Sequence, residues 1–497
     1  MGNIQSIFYF IPELIIVGTV LLAVLVDLVV ADRNVQKVGY LVIAGLTISS
    51  FFLWLSPPDQ TTNLFLNTIV IDPFSRIFKF IFLLATLIVV MMSMKTDELK
   101  SVRTGEYYAL MAVMVLGMFL MASSIDLIMI YLAIEVVSIT SFILAGYLKD
   151  KVTSNEASLK YVIYGAFSSG IMLYGFSLLY GLTGTMKLLE LGNAVAALGS
   201  ESNLALTIAT IMIMAGFGYK IAIVPFHFWT PDVYEGSPAP VTAYLSVAPK
   251  AAGFALLIRF FNSTFAIEEP FNSQVWKSIA GVPWQDILMI ISAITMTVGN
   301  LIAIQQNNIK RMLAYSSIAH AGYILMAVPV LSQEGIYAII FYLIVYLFMQ
   351  LGAFFISIVV FNQYGTENID EYSGIGWKSP YLGFFMTIFI FSLTGIPPTA
   401  GFIGKMYLFA ALINAGSAFY WLAIVGVLNS VVSLYYYMRV VKVMYFQGDR
   451  QRDLYIPKGV SAGIILVTGL PSIIFGIRWS FLADWVNSSL KFFVSGF

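Results

Sequence analysis

The sequence predicts an all-α polytopic membrane protein, because its composition and the spacing of its apolar runs both fit a lipid environment. Hydrophobic residues make up 59% of the chain and charged residues 10%, with a mean hydropathy of +0.88, whereas globular domains carry roughly 25% charged residues. Apolar runs near the ~20 residues that a spanning helix needs recur from one end of the chain to the other. Two of these runs are interrupted by prolines close to a lysine, one at Pro225 and the other at Pro397 and Pro398, so two helices are expected to be broken.

About 14 spanning helices are predicted in this way. The first is interpreted as a membrane helix and not as a signal peptide, because no basic region or small-residue cleavage site accompanies its apolar core. In chain order the predicted spans are residues 8–30, 37–56, 73–94, 105–123, 125–147, 156–181, 204–227, 238–261, 284–304, 309–331, 336–361, 380–413, 417–446 and 457–477.

The charge balance and the absence of cysteine narrow the classes of function. The chain has 26 basic and 26 acidic residues and no cysteine. A net charge of zero gives no indication of a nucleic-acid partner. Without cysteine, the chain can hold neither Cys-ligated iron–sulfur clusters nor disulfides.

The distribution of basic residues predicts the orientation in the membrane. Loops after odd-numbered spans hold fifteen Lys and Arg residues, and the opposite side holds seven. The fifteen are Arg33, Lys37, Lys95, Lys100, Arg103, Lys149, Lys151, Lys310, Arg311, Lys378, Arg439, Lys442, Arg450, Arg452 and Lys458. The seven are Arg76, Lys79, Lys187, Arg259, Lys277, Arg478 and Lys491. Because cytoplasmic loops carry the Lys/Arg excess, both termini are expected outside.

One loop departs from the pattern: TPDVYEGSPAP, after the seventh span, has two acidic residues and no basic one. This composition indicates that its residues serve a purpose other than orientation.

The two interrupted spans hold equivalent places in the chain. Pro225 follows Lys220 in the seventh span, and Pro397 and Pro398 precede Lys405 in the twelfth. Spans four to eight and nine to thirteen form two sets of five, each with its fourth helix broken, and an odd number makes the second set enter from the other side. Discontinuous helices in matching halves indicate an ion site within an inverted repeat. The predicted division is three leading helices in residues 1–104, two five-helix repeats in residues 105–261 and 284–446, and a closing helix with a tail in residues 447–497.

Ionisable residues within the apolar spans point to charge transport. They are Glu135, Lys160, Lys220, Lys250 and Lys405. Each costs about 2.5–3.5 kcal/mol at mid-membrane, so such residues normally face a protein interior and mark an ion or proton route. Glu135 needs a partner or a proton, and Lys160 is the expected partner. The alternatives are that Glu135 serves helix packing, that Lys160 extends to the cytoplasmic surface, and that Lys220, Lys250 and Lys405 form fixed structural salt bridges.

Both histidines, His227 and His320, also lie in apolar segments. With an unperturbed pKa of about 6.5, histidine can relay protons at neutral pH. A hydrogen-bonded core histidine is the alternative for each. Paired axial ligation of haem is a further alternative, and it needs the two rings to meet across the seventh and tenth spans.

Several motifs together resemble one known family. The stretch YKIAIVPFHFWTPDVYEGSPAPVTAYLSVAPKAAGFALLIR, the segments NIKRMLAYSSIAHAGYI and SLTGIPPTAGFIGKMYLF, and the setting of Glu135 are similar to the antiporter-like subunits of proton-translocating NADH:quinone oxidoreductase, respiratory complex I. The resemblance covers residues of about 105–446. It implies that Glu135, Lys160, Lys220, Lys250 and Lys405 form a polar axis at mid-membrane, with His227 and His320 on a connecting water-filled path.

The resemblance also implies partners and cofactors. Flavin, iron–sulfur clusters and quinone are expected in partner subunits and none in this chain. The expected partners are the other membrane-arm subunits, including the neighbouring antiporter-like subunit and the lateral helix of the largest one, together with the lipid bilayer but no nucleic acid. The chain ends too soon after its last span to supply a lateral helix, and a lysine at position 405 in place of a glutamate favours the subunit N type, the counterpart of mitochondrial subunit 2. Three leading helices favour a bacterial inner membrane.

Two other functions stay open at this stage. A subunit of a multisubunit sodium/proton antiporter shares the broken-helix motifs. A scaffold that assembles a quinone-reducing complex without pumping is disfavoured, because buried charges would bring it a cost in stability and no gain in function.

Overall fold

The computed structural model describes residues 3–29, 36–57, 61–100, 102, 104–269, 272–279, 281–448 and 456–490. The basic residues Arg33, Arg103, Arg450, Arg452 and Lys491 of the predicted charge pattern lie outside these residues. The same holds for the last residues of the predicted tail.

The described chain is almost entirely helical, and it contains 13 helices long and apolar enough to cross a membrane. The helices of the first half are α1 (Asn3–Tyr9), α2 (Ile11–Val29), α3 (Gln36–Leu55), α4 (Pro73–Ser93), α5 (Gly105–Ser123), α6 (Leu127–Ala145), α7 (Val152–Thr183), α8 (Leu188–Ala196), α9 (Asn203–Ile221), α10 (Trp229–Gly236) and α11 (Ala239–Phe265). Those of the second half are α12 (Trp284–Ala303), α13 (Ile309–Leu325), α14 (Gln333–Tyr364), α15 (Ile375–Lys378), α16 (Pro380–Thr394), α17 (Ala400–Asn414), α18 (Tyr420–Phe446), α19 (Val460–Ile477) and α20 (Ser480–Leu490).

The predicted fold class is confirmed. Each of the predicted apolar spans contains a helix, and the seventh and twelfth are interrupted. The seventh ends as α9 and resumes as the short helix α10, whereas the twelfth consists of α16 and α17, each too short to cross alone. The division into two inverted repeats stays a prediction, although α5–α11 and α12–α18 each contain one such break.

Two antiparallel hairpins lie between the helices. Strands β1 (Thr62–Leu64) and β2 (Ile69–Ile71) pair before α4, and strands β3 (Ala266–Glu269) and β4 (Asn272–Ser278) pair before α12. Both hairpins are short and join successive spans, so hydropathy did not predict them.

Helices α11 and α14 form the centre of the bundle. Their spanning segments are completely buried, and α11 packs against α4, α5, α9 and α14, while α14 packs against α16, α17 and α19. Helices α2, α3, α18 and α19 lie at the periphery and present apolar side chains such as Leu25, Trp54 and Tyr435 outward. Because lipid is as apolar as these side chains, such exposure fits a membrane-facing surface.

The loops meet at two opposite ends of the bundle. At one end, Lys151 pairs with Glu98 and the side chain of Asn362 donates to Lys95 O. Arg439 pairs with Asp370 at this same end. These contacts join loops that follow the odd-numbered spans, and we call this end the odd-loop face.

Candidate functional site

Lys220 lies in the last turn of α9, directly before the first helix break. The helix ends because Ala222 adopts a left-handed conformation (φ 60°) and Pro225 cannot continue the hydrogen-bond ladder. The indole Nε1 of Trp229 donates to Tyr219 O (3.1 Å), and Val224 N donates to Thr295 Oγ1 (3.1 Å). The break is therefore satisfied by protein groups, as a break at membrane depth requires.

The ammonium of Lys220 faces α6. It is 2% exposed and donates to Ser138 Oγ at 3.2 Å. Glu135 lies one turn before Ser138 on the same helix and forms no ion pair with Lys220. Glu135 Oε1 is buried and has no hydrogen-bond partner among the described residues. The carboxylate and the ammonium are thus neighbours that share no fixed contact.

Lys250 lies in the middle of the buried helix α11 and is held by α13. Its Nζ donates to Ser317 O (2.9 Å) and Ser317 Oγ (2.8 Å), and Lys250 is 3% exposed. The ring of Tyr234 lies 6.0 Å from the ammonium. Gly253, one turn further along α11, lies against α9: a Cβ at this position would be 2.5 Å from Ile221 Cγ2 and 3.7 Å from Lys220 Cγ. This small residue lets α9 and its lysine approach the helix that carries Lys250.

His320 lies one turn beyond Ser317 on α13 and is also buried. Its Nδ1 is 2.7 Å from the hydroxyl of Tyr342, and its Nε2 is 3.1 Å from the hydroxyl of Tyr437. Tyr437 also shares a hydrogen bond with Ser316. The ring nitrogens are the atoms that haem ligation would need. Both are hydrogen-bonded to tyrosines, one on α14 and one on α18. His320 lies between Ser317, which binds Lys250, and Tyr323, whose ring lies against the ammonium of Lys405.

Lys405 lies on α17, after the second break. Its Nζ donates to Thr394 O (2.8 Å), the carbonyl at the end of α16, and to Ser430 Oγ of α18 (3.0 Å). Gly395 continues the chain from α16 with φ 88°, and a Cβ at this position would lie 2.9 Å from Lys405 Cδ. The break therefore gives the ammonium a backbone carbonyl that a continuous helix would use for itself.

Each break has a lysine close to the carboxyl end of a half-helix. Lys220 lies in the last turn of α9, and Lys405 reaches the last carbonyl of α16 from the next helix. The carboxyl end of a helix carries partial negative charge, so it favours a cation. Lys405 thus binds the carboxyl end of α16 directly, whereas Lys220 shares only the position near a helix end and donates to Ser138 of α6.

One face of α13 connects the two halves of the site. Ser317, His320 and Tyr323 follow one another at intervals of three residues; Ser317 binds Lys250, and the ring of Tyr323 lies 4.6 Å from the ammonium of Lys405. Side chains at this spacing share one face of a helix. We call the buried residues Lys220, Lys250, His320 and Lys405 and the half-buried Glu135, with these linking groups, the buried row.

Lys160 departs from the sequence-based interpretation. The expectation that it pairs with Glu135 is wrong, because its Nζ binds Asp232 (2.6 Å) and Glu156 (2.7 Å). Its side chain is 38% exposed, which agrees with the alternative of a lysine that extends to the surface.

Asp232 is the centre of an ionic cluster at the odd-loop face. It pairs with Lys160 of α7 and with Arg311 of α13 (2.9 Å), which also pairs with Glu235 (2.6 Å). Burial alone would raise the pKa of the Asp232 carboxyl, but hydrogen bonds from Lys160 and Arg311 hold that pKa below its usual value. The acidic loop after the seventh span therefore binds basic side chains of the neighbouring helices α7 and α13.

His227 lies in the first break, two residues after Pro225. It is 5% exposed, and its Nδ1 has no hydrogen-bond partner among the described residues. Its ring packs against Phe228. No contact joins it to the other predicted site residues within the described part of the chain, so its place on a proton path stays a prediction.

The neutral partners of the three buried lysines and of His320 were not predicted from the sequence. They are Ser138, Ser317, Tyr323, Tyr342, Thr394, Ser430 and Tyr437. A signal existed for two of them, because Ser317 and Tyr323 flank His320 at helical spacing. The others come from different helices, and hydropathy does not specify how helices rotate against one another.

Comparison with known proteins identifies the family. Residues 124–433 match the family model described as NADH:quinone oxidoreductase/Mrp antiporter, TM. NADH-quinone oxidoreductase subunit N from Chlorobium chlorochromatii (strain CaD3) is 44% identical over 98% of this chain and 95% of its own length. Among solved structures, a chain of respiratory complex I from Thermus thermophilus with bound aureothin aligns with a TM-score of 0.77 and 29% identity, covering 95% of this chain and 98% of that chain. A chain of the Mrp complex from Dietzia sp. DQ12-45-1b shares the fold, with a TM-score of 0.82, 20% identity and coverage of 99% and 98%. The chain therefore belongs to the NADH:quinone oxidoreductase/Mrp antiporter family and, within it, to the subunit N group of NADH-quinone oxidoreductases.

Proposed function

We propose that this chain is the proton-translocating membrane-arm subunit N of an NADH:quinone oxidoreductase, and that protons move along the buried row. Redox chemistry takes place in partner subunits, which carry the flavin, iron–sulfur clusters and quinone. The chain contributes to the enzyme as a translocase subunit of a bacterial inner membrane.

The observation that carries this proposal is the way in which three buried lysines are held. None of Lys220, Lys250 and Lys405 forms an ion pair with a carboxylate of the described chain, and all three donate to hydroxyl or carbonyl oxygens. A buried charge costs about 2.5–3.5 kcal/mol at mid-membrane, and a structural role would normally offset that cost with a fixed countercharge. Neutral oxygen partners leave each lysine able to release and regain a proton.

Glu135 supplies the movable countercharge of the first half. It lies one turn before Ser138, which binds Lys220, and forms no ion pair with Lys220, so a small displacement of either side chain would change the interaction between the two charges. His320 and Tyr323 continue the row from Lys250 to Lys405. Lys160 and His227 belong to the proposed path at its edges, Lys160 at the odd-loop face.

The alternative of a sodium/proton antiporter subunit is less well supported. The Mrp chain shares the fold at 20% identity, whereas relatives named NADH-quinone oxidoreductase subunit N reach 44% identity over nearly the whole chain. A scaffold without transport leaves the unpaired lysines of the buried row unexplained.

Proton pumping tests the proposal directly. Lys220→Ala and Glu135→Gln are each expected to lower NADH-driven proton translocation in inverted membrane vesicles while the complex still assembles. The measurement is the proton-to-electron ratio together with the rate of quinone reduction. Parental values of both quantities in assembled variants would remove the buried row from the mechanism.

Lys442→Ala is the matched control for Lys220→Ala. Lys442 is an exposed lysine on α18 and contributes to no part of the buried row. Its replacement removes the same charged group from a helix of the same chain, so pumping is expected to stay at the parental level.

A further inference from the structure

A cluster of neutral side chains lies beside the buried row, where α12, α13 and α18 meet. At its centre is Asn300 of α12, which is completely buried. The hydroxyl of Tyr436 donates to Asn300 Oδ1 at 3.0 Å. Asn300 Nδ2 lies 3.2 Å from the hydroxyl of Tyr323 and 3.1 Å from Asn429 Oδ1. We call Asn300, Tyr323, Asn429 and Tyr436 the amide cluster.

Backbone carbonyls fix the direction in which the two amides of this cluster point. Asn429 Nδ2 donates to Val425 O (3.0 Å), and Asn300 Nδ2 donates to Asn429 O (3.2 Å). Because a carbonyl oxygen can only accept, neither amide can be turned over without placing two oxygens against each other. The hydrogens of Asn300 Nδ2 therefore point towards Asn429 and Tyr323, and the Tyr323 hydroxyl accepts a hydrogen bond from Asn300.

The ring of Tyr323 connects the amide cluster to Lys405. Its centre lies 4.6 Å from the ammonium, which also donates to Thr394 O and Ser430 Oγ. The electron-rich face of an aromatic ring attracts a cation at this distance, and the attraction is lost when the lysine is neutral. The ring of Tyr323 therefore distinguishes the two forms of Lys405 that proton exchange would interconvert.

The contact between ring and ammonium depends on Asn300. Tyr323 is 1% exposed, and Asn300 is the hydrogen-bond partner of its hydroxyl among the described residues. Without the amide, the hydroxyl would be left buried and unpaired, which costs free energy. The phenol would avoid this cost by turning away from α12, and such a turn would carry the ring off the ammonium.

We propose that Asn300 is a positioning residue for proton exchange at Lys405, because it holds the ring of Tyr323 against the ammonium. This inference rests on the proposed function, in which Lys405 exchanges protons. Asn429 and Tyr436 occupy the rest of the Asn300 amide and so leave it one orientation. Packing of α12 against α18 needs no amide that reaches across to α13, and an apolar side chain would avoid the cost of burying one.

Asn300→Leu tests this role, because leucine keeps the approximate volume of the side chain and removes the amide. We expect the complex to assemble and NADH-driven proton uptake by inverted vesicles, per assembled complex, to fall about tenfold, the effect of one desolvated contact between a cation and a ring. Tyr323→Phe should cause a similar loss. Combining the two substitutions should add little, because both remove the same hydrogen bond, and fully additive losses would contradict the proposal.

Asn362→Leu is the matched control for Asn300→Leu. The amide of Asn362 is also bonded on both sides, since its Nδ2 donates to Lys95 O and its Oδ1 accepts from Asp97 N. These contacts lie at the odd-loop face, away from Lys405. Pumping by this variant is expected to stay at the parental level.

A fluorinated tyrosine at position 323 separates positioning from packing. Difluorotyrosine keeps the hydroxyl and nearly the size of the ring but weakens the negative face, so pumping should fall about threefold while assembly is unchanged. In the Asn300→Leu background the ring has left the ammonium, and fluorination should have no further effect. Equal pumping with tyrosine and difluorotyrosine beside an intact Asn300 would overturn the proposal, and this comparison holds even if Asn300→Leu does not assemble.

Lys405→Arg, measured alongside, distinguishes failure of this inference from failure of the proposed function. Normal pumping by Lys405→Arg would remove proton exchange at Lys405 itself. Lowered pumping by Lys405→Arg, together with no response to fluorination at position 323, would overturn only the role of Asn300 and Tyr323.

Discussion

Four lysines of this chain lie in two different kinds of environment. Lys160 is partly exposed and binds two carboxylates, whereas Lys220, Lys250 and Lys405 are buried and bind neutral oxygens. An ion pair stabilises the charged form of a lysine and makes proton release harder. The three buried lysines are therefore the better candidates for proton exchange, and Lys160 is better suited to hold the odd-loop face together.

Lys405→Arg separates proton exchange from charge at the second break. Arginine keeps the positive charge but does not release its proton. We expect assembled complex with pumping lowered about tenfold or more, because positioned proton-transfer groups contribute roughly 10²–10⁴-fold to rates. The measurement is NADH-driven proton uptake by inverted vesicles, normalised to the amount of assembled complex.

Lys187→Arg is the control for this substitution. Lys187 pairs with Asp126 at 2.8 Å and is partly exposed, so it holds a structural charge. Arginine should serve there equally well, and pumping should be unchanged. Wild-type pumping by Lys405→Arg would exclude proton exchange at Lys405.

At the scale of helices, α10 links the first break to both halves of the bundle. It follows the break that carries Lys220, and Asp232 on α10 binds Lys160 of α7 and Arg311 of α13. Glu235 adds a second contact to Arg311. A displacement of α10 would therefore alter its ion pairs with helices of both predicted repeats.

Asp232→Asn tests this role of α10. The substitution removes one charge from each of two ion pairs, while Glu156 and Glu235 keep their own contacts. Because partly exposed ion pairs are worth about 0.2–1 kcal/mol each, the loss of both costs at most about 2 kcal/mol, and pumping should fall by no more than about thirtyfold. A double-mutant cycle with Arg311→Gln should show coupling between the two positions. Additive effects, or an equal loss in the exposed control Glu371→Gln, would contradict a specific role for Asp232.

A buried ion pair fastens α4 to α11 on the opposite side of the bundle. Arg259 binds Asp72 at 2.8 Å, with both side chains buried, and its Nε donates to Ala122 O at 3.0 Å. Arg259→Leu leaves the Asp72 carboxylate buried without this partner, which typically costs about 3–5 kcal/mol. We expect little assembled complex on native gels of solubilised membranes. The exposed control Arg478→Leu should assemble normally, and normal assembly of Arg259→Leu would show that the pair is dispensable.

The spans could be predicted from the sequence, but their contacts could not. A run of about 20 apolar residues predicts a membrane helix however the helices pack against one another, and Pro225 and Pro397 interrupt the backbone hydrogen bonds of a helix whatever its neighbours are. The partner of Lys160 depends instead on how α7 rotates against α10, which hydropathy does not encode. The short helices α8 and α20 also escaped prediction, because neither is long enough to span.

At the scale of the whole molecule, the described loops alternate between two ends of the bundle. Contacts at the odd-loop face join the loops after spans three, five, nine and eleven and the last part of α18, whereas the hairpin around Thr68 contacts Ile125 at the other end. The alternation supports the predicted number of spans. The excess of basic residues in the odd loops then favours the odd-loop face as the cytoplasmic side.

The absence of cysteine from the chain allows this orientation to be tested with single introduced cysteines. Lys100, 74% exposed at the odd-loop face, and Arg478, exposed beyond α19, are the two positions to replace. We expect a membrane-impermeant maleimide added to intact spheroplasts to label Arg478→Cys, and to label Lys100→Cys only after permeabilisation, because the basic loops remain inside. A reporter that is active only outside, fused after Phe497, should agree with Arg478→Cys. The reverse labelling pattern would invert the orientation. Labelling of both cysteines from one side would mean that the chain crosses the membrane an even number of times between them, one more or one fewer than the fold implies.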